Sequence, residues 1–336
     1  MFESRVIAFT AAYQAEVIVE QVPEPKEGEF TARAIVSLMS TGTEGICYRG
    51  LCDADTNWSR FVGRYPLRPG YCNVAEVVAV GKGVDTLAVG DRIFTFAKHQ
   101  EYYTFPIDHR GLVKLPDDVT SDEGAWCKLA TIAQSAVRKG EQALGETAVV
   151  VGAGPIGQMV VQHCRVQGLK EVISVDMSQQ RLDVALAHGA TQAFCGQAID
   201  AQKFVEEHTN GQGAHVAYDA TGHPAAFAQA QKLIRDHGFL VMVGDCPFPT
   251  QQHLAHEMLL RGLSLKGSFN EKLPPKQIEW ADFHPQAALF LTFLQRKQMR
   301  VADLISHRFK PEDAPKLYAD LEKDRSETLG VVFDWR

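Results

Sequence analysis

The string Val149-Val150-Val151-Gly152-Ala153-Gly154-Pro155-Ile156-Gly157 follows an apolar run at 148–151 and opens a helical pattern that reaches about Gly168. A G-x-G-x-x-G set between a strand and a helix has a specific physical use. Gly152 permits the tight turn, Gly154 lets the backbone approach a pyrophosphate, and Gly157 lets the helix pack on the strand. Pro155 and Ile156 start that helix, whose first N–H groups face the anion. The next apolar run, 171–175, leads to Asp176, about 20 residues beyond the turn, where an acidic side chain meets the ribose hydroxyls of an adenosine. A carboxylate there accepts hydrogen bonds from both hydroxyls and repels a 2′-phosphate, so the cofactor expected is NAD rather than NADP. Further apolar runs at 216–218, 238–243 and 263–267, each preceded by a helical stretch, continue the βαβ rhythm. An α/β unit is expected, a Rossmann doubly wound parallel sheet with right-handed crossovers.

Elsewhere the texture changes. Residues 1–120 alternate short β-rich runs (33–38, 74–80, 92–96) with punctuation such as Gly81-Lys82-Gly83 and Val89-Gly90-Asp91, the pattern of a compact β-barrel. After a Pro-rich stretch at 273–275, helices are expected near 286–296 and 311–321, and a final strand at 329–335. The 336 residues are 45% hydrophobic and 22% charged, which suits a globular chain of two domains. With 34 Lys+Arg against 41 Asp+Glu, a net charge of −7 and no basic run, nucleic acid is excluded as a partner. No window reaches the roughly 18 apolar residues that would cross a bilayer, so no membrane role is expected. Seven dispersed cysteines without a C-x-x-C pair read as reduced thiols of a cytoplasmic protein.

Six segments in chain order resemble the medium-chain dehydrogenase/reductase family. They are Ser40-Thr41-Gly42-Thr43-Glu44; Pro69-Gly70-Tyr71 with Glu76-Val77-Val78-Ala79-Val80-Gly81; Val89-Gly90-Asp91-Arg92; the glycine string; Asp219-Ala220-Thr221-Gly222; and Leu304-Ile305-Ser306-His307-Arg308-Phe309. Within that family, the first of these, Pro69-Gly70-Tyr71 and the terminal Phe333-Asp334-Trp335-Arg336 are similar to a zinc-independent branch that includes bacteriochlorophyllide dehydrogenase. The resemblance implies a GroES-like β-barrel catalytic domain over 1–128, an NAD-binding Rossmann domain over 129–270, and a return to the catalytic domain over 271–336. It implies that Met177 and Arg181, Thr221 and Gly222, Val243 and Gly244, and Ser268 and Phe269 join the glycine turn and Asp176 around the cofactor, with Arg181 over the adenine. It also implies a homodimer or homotetramer, joined through the edge strand at 263–267.

Zinc-dependent members of the family carry a cysteine, a Gly-His-Glu and a third ligand at fixed places. Here Thr41 stands for the cysteine, Gly70-Tyr71-Cys72 for Gly-His-Glu, and Lys128 for the third ligand. A lysine ammonium cannot ligate zinc, which needs deprotonated N, S or O donors, so no metal is expected. The interval 91–114 lacks the cysteines of a structural zinc site, and His253 with His256 reads as a solvated helix face. Ligands of one ion share a small volume, so Tyr71 and Lys128 are expected to be neighbours beside the substrate. Either the lysine favours the phenolate and makes Tyr71 the acid/base, or Lys128, desolvated and neutral, is itself the base. Thr43 matches the family's proton-relaying hydroxyl and Glu44 a carboxylate behind it. His99, Glu101 and Tyr102 are further polar candidates on the loop after Phe96.

The function these residues imply is NAD-dependent interconversion of a secondary alcohol and a ketone on a polyhydroxylated small molecule, such as a sugar, sugar acid or cyclitol. Its basis is a site offering Lys, Glu, Tyr, Thr and His. An enone or quinone reductase is the alternative, opposed by Asp176 because that branch usually prefers NADPH. A chlorin hydroxyethyl dehydrogenase and a non-enzymatic NAD-binding protein are the other readings.

Overall fold

The computed structural model describes residues 1–269 and 272–336. In chain order the strands are β1 (Phe2–Ala11), β2 (Gln14–Val22), β3 (Glu29–Leu38), β4 (Asn73–Val80), β5 (Arg92–Thr95), β6 (Tyr102–Pro106), β7 (Val113–Lys114), β8 (Thr147–Val151), β9 (Glu171–Asp176), β10 (Gln192–Cys195), β11 (Ala214–Asp219), β12 (Ile234–Met242), β13 (Ser264–Gly267), β14 (Ile305–Phe309) and β15 (Gly330–Asp334). Contacts divide the chain into Met1–Lys128 with Ala287–Arg336, and Leu129–Gln286. The expected crossing at 270/271 lies outside the described residues. Residues 272–286 belong with the second unit: the Arg138 guanidinium lies 4.0 Å from the Trp280 ring centre, and the Ser135 hydroxyl donates to the Gln286 side chain.

The second unit holds a six-stranded sheet in the order β10-β9-β8-β11-β12-β13, all parallel. Strands of such a sheet are covered on both faces and read as continuous apolar runs, as the fully buried Thr147–Val151 does. The strand order reverses between β8 and β11, the place where open α/β sheets bind ligands beyond their strands' carboxyl ends. His253 and His256 share no helix: His253 lies in irregular chain and His256 immediately precedes the single turn Glu257–Leu260.

The first unit holds a seven-stranded sheet in which β14-β15-β3-β4-β5-β7 are neighbours and β6 pairs with β3, together with the β1-β2 hairpin. Its core gathers Phe9, Tyr48, Tyr318, Phe333 and Trp335, with Phe9 meeting Tyr318 edge-on at 4.8 Å. The terminal Phe333-Asp334-Trp335 therefore closes this core, and its two aromatics are wholly buried. A helix, Thr41–Arg49, leads from β3 into the loop before β4 and carries the Ser-Thr-Gly-Thr-Glu string at its start.

Candidate active site

In the second unit the glycine string forms the turn between β8 and the helix Pro155–Gln167. Gly152 has φ of 94°, a left-handed conformation that glycine adopts without strain. A Cβ on Gly157 would lie 1.8 Å from the Gly152 carbonyl oxygen, whereas one on Gly154 would meet nothing within 4 Å. The space beside Gly154 lies at an uncapped helix N-terminus, where it suits a phosphate. Asp176, at the end of β9, accepts from the Ala153 N–H at 2.7 Å and from the Ser178 N–H at 2.8 Å, through different carboxylate oxygens. It thus pins the glycine turn and keeps a lone pair on each oxygen for a ribose hydroxyl. Gln158 donates to the carbonyls of Ala153 and Arg181, which ties the Arg181 backbone to the same turn.

Across the sheet reversal, Asp219 is buried at the end of β11. Its side chain accepts from the Thr221 N–H and hydroxyl, and its carbonyl from the N–H groups of Val243 and Gly244. Burial raises the Asp219 carboxyl, and these donors offset part of the rise. At the end of β13 the Lys139 ammonium donates to the carbonyls of Gly267 and Phe269, and the Ser268 N–H donates to Met242. Met177 and Phe269 are exposed.

These contacts give different stability expectations for two neighbouring glycines. Gly154→Ala should fold with a melting temperature close to wild type but lose dinucleotide binding, because its methyl takes the phosphate's space. Gly157→Ala should lose both, since the helix must move off the turn. Thermal melting and titration with NADH fluorescence read the two effects, and equal behaviour of the variants would count against the cradle.

In the first unit the string at 40–44 and Tyr71 converge. The Tyr71 hydroxyl donates to Ser40 Oγ at 2.5 Å and lies 3.5 Å from Thr43 Oγ1. Ser40, Thr43 and Tyr71 are half-buried, and Glu44 beneath them is buried. Glu44 Oε1 accepts from the Ser40 N–H at 2.7 Å, Oε2 from the Tyr318 hydroxyl at 2.6 Å, and His99 Nε2 lies 3.1 and 3.2 Å from the two oxygens. Burial alone would raise the Glu44 carboxyl, but His99, Tyr318 and the Ser40 N–H hold it below its ordinary value. Burial, with the charges of Cys72 and Glu44 adding, pushes the Tyr71 phenol well above its ordinary value despite the hydrogen bonds to Ser40 and Thr43. The phenolate expected from a neighbouring lysine is therefore not the resting form; Tyr71 holds its proton. The Lys128 ammonium lies 4.7 Å from the Phe96 ring centre, and its charge reaches Cys72, the residue after Tyr71. Glu101 is tied to Arg5 and Arg33.

Sequence reading did not find Ser40 or Tyr318 and gave His99 no partner. Ser40 carried one usable signal: a serine before a helix whose first turn holds a glutamate. Tyr318 carried none, being 274 residues from Glu44 in the chain. Among the described residues no three His, Cys, Asp or Glu side chains are grouped to hold a metal ion.

A GroES-like unit beside a parallel-sheet Rossmann unit is the architecture of alcohol dehydrogenases. The alcohol dehydrogenase GroES-like domain model matches residues 45–142, and the zinc-binding dehydrogenase model matches 155–287. A probable D-xylulose reductase A from Emericella nidulans is 26% identical over 322 residues, 82% of this chain and 85% of that protein. An oxidoreductase/dehydrogenase of unknown specificity from Escherichia coli has a TM-score of 0.82 at 18% identity, covering 99% of each chain. A Sinorhizobium meliloti protein solved with NADP bound has a TM-score of 0.80 at 18% identity, covering 99% of this chain and 100% of that one. The chain belongs to the medium-chain dehydrogenase/reductase family of oxidoreductases.

Proposed function

We propose that this chain is an NAD-dependent dehydrogenase that interconverts a secondary alcohol and a ketone on a polyhydroxylated small molecule, a sugar, sugar acid or cyclitol, without catalytic zinc. The observation that carries it is the cluster of three half-buried hydroxyls, Ser40, Thr43 and Tyr71, over the ionised Glu44. Polar donors and acceptors grouped in this way suit a substrate rich in hydroxyl groups, and the ketose sugar named in the fungal relative is of that class. The metal-free reading is supported by Thr41, Tyr71 and Lys128 standing where the family's ligands stand; a protonated phenol and an ammonium offer zinc no donor pair.

When bound, the nicotinamide supplies or takes up the hydride. Tyr71 hydrogen-bonds the substrate oxygen and gives it the phenolic proton as that oxygen becomes an alkoxide. Ser40 and Thr43 hold the phenol in place and, being half-buried, relay to it a replacement proton taken from solvent. Lys128 supplies positive charge against the developing oxyanion. The test is a screen of NAD reduction across sugars, sugar acids, cyclitols and simple alcohols, run before and after prolonged chelation with the zinc content measured. Turnover that survives chelation supports the reading; stoichiometric zinc whose removal stops turnover overturns its metal-free part.

The NAD preference rests on Asp176. NAD should bind more than tenfold better than NADP, about 1.4 kcal/mol or more. Asp176→Ser should narrow that gap and weaken both, because the Ala153 N–H loses its anchor. Fluorescence titration with NADH and NADPH measures this, and equal affinities in the wild type would sink the assignment. A second copy of the chain is proposed to pair through β13, an edge strand with Leu259, Leu260 and Leu265 exposed around it. Light scattering should then report a dimer or tetramer.

A further inference from the structure

We propose that His99 is a positioning residue for Tyr71, acting through the carboxylate of Glu44 and the backbone of Ser40; this rests on the acid–base role given to Tyr71 above. His99 is wholly buried, and every polar edge of its ring is used. Nδ1 lies 2.7 Å from Ser37 Oγ, and that oxygen also accepts from the Trp335 indole N–H at 2.9 Å. Nε2 faces both Glu44 oxygens and therefore carries a hydrogen.

The Glu44 carboxylate passes this order onward. It reaches back to the Ser40 N–H, the move a glutamate makes in a capping box. In a full capping box the serine hydroxyl would bond the helix backbone, but here no such bond exists and Ser40 Oγ accepts from Tyr71 instead. A line of hydrogen bonds thus runs from Trp335 through Ser37, His99, Glu44 and Ser40 to the Tyr71 hydroxyl. Only its Tyr71 end is half-open, and its other members except Ser40 are buried.

The backbone makes the same connection. The His99 N–H donates to the Pro69 carbonyl at 3.0 Å, and its own carbonyl accepts from Ile7 at 2.9 Å. Asn73 donates to the carbonyls on either side, Lys98 and Gln100. A Cβ on Gly70 would stand 2.9 Å from the His99 ring, so the glycine before Tyr71 is what lets the imidazole approach. The loop bearing His99 and the loop bearing Tyr71 are locked face to face. A histidine–carboxylate contact buried this completely is a weak source of stability, and fixing one arrangement of polar groups is a use that justifies keeping it.

The experiment labels tyrosine at the ζ carbon with 13C and follows the eight tyrosine signals by NMR. Tyr71→Phe and Tyr318→Phe assign two of them. In His99→Gln and in Ser37→Ala, the Tyr71 and Tyr318 signals should move while the other six stay; a merely structural lesion would move either none or all. Kinetics supply the second readout, with the alcohol that scores best in the screen. His99→Ala should lower kcat about tenfold with NADH affinity unchanged, yet cost less than threefold when Tyr71 is already phenylalanine, because residues acting as a unit are non-additive. If His99→Ala does not fold, Ser37→Ala is read in the same cycle. An unmoved Tyr71 signal, or losses that multiply in the cycle, overturns the proposal. A moved signal together with full turnover in Tyr71→Phe upholds the positioning line and removes the acid–base role instead.

Discussion

Replacing Tyr71 with phenylalanine is expected to lower turnover about 100-fold or more, the scale of a lost general acid or base. The loss should fall on kcat and leave NADH affinity intact, because Tyr71 belongs to the unit that lacks the glycine turn. The pH dependence of the wild type carries the sign. Burial raises the phenol above its ordinary value of about 10, so the proton stays on through neutral and mildly alkaline pH. Carbonyl reduction consumes that proton and should be nearly flat from pH 6 to about 9. Alcohol oxidation needs the deprotonated phenol, whose fraction rises about tenfold per pH unit below its pKa. Oxidation should therefore climb steadily with pH and show no plateau at the ordinary tyrosine value. In Tyr71→Phe the climb should vanish. Steady-state rates in both directions over this range settle the point; a bell centred near neutrality would hand the role to another group.

What could be read from the sequence was set by distance along the chain. The glycine-turn half is local: turn, helix start and the Asp176 carboxylate occupy 152–176, and each has a backbone reason visible in the residues themselves. Strand β10 escaped because Gln192–Cys195 is four residues long and only partly buried at an edge, leaving no apolar run to see. The β1-β2 hairpin was also missed, although it is the longest pairing in the first unit. Its turn has Tyr13 at φ of 60°, a conformation that a tyrosine does not announce as asparagine or glycine would.

The substrate half is non-local and was only partly legible. Thr43, Glu44 and Tyr71 could be named from a resemblance, but what surrounds them comes from Ser37 on β3, His99 between β5 and β6, and Tyr318 and Trp335 in the returning segment. Spacing cannot reveal contacts over such separations. One of the two electrostatic expectations was therefore misjudged: a lysine was to favour the Tyr71 phenolate, whereas burial raises the phenol and keeps its proton on. Glu44 likewise emerges as a carboxylate held by three hydrogen-bond donors beneath the Ser40–Tyr71 hydroxyl pair.

Lys128→Met carries the other large expected effect. The substitution keeps length and apolar bulk beside Phe96 while removing the charge that reaches the Cys72 neighbourhood. If that charge faces the developing oxyanion, turnover should fall by two to three decades, about 2.7–4 kcal/mol, as when one preorganised stabilising group is deleted. Dinucleotide affinity should barely change. Lys128→Arg should recover part of the loss, since it restores charge with a different shape. Combined with Tyr71→Phe, the loss should be much smaller than the product of the single losses, because proton donor and cation act on one oxygen. Normal turnover in Lys128→Met would make the lysine a cation resting on an aromatic face, worth about 0.5–2 kcal/mol to packing. The oxygen's partners would then be the three hydroxyls alone, and Ser40→Ala rather than Lys128→Met should be the costly change.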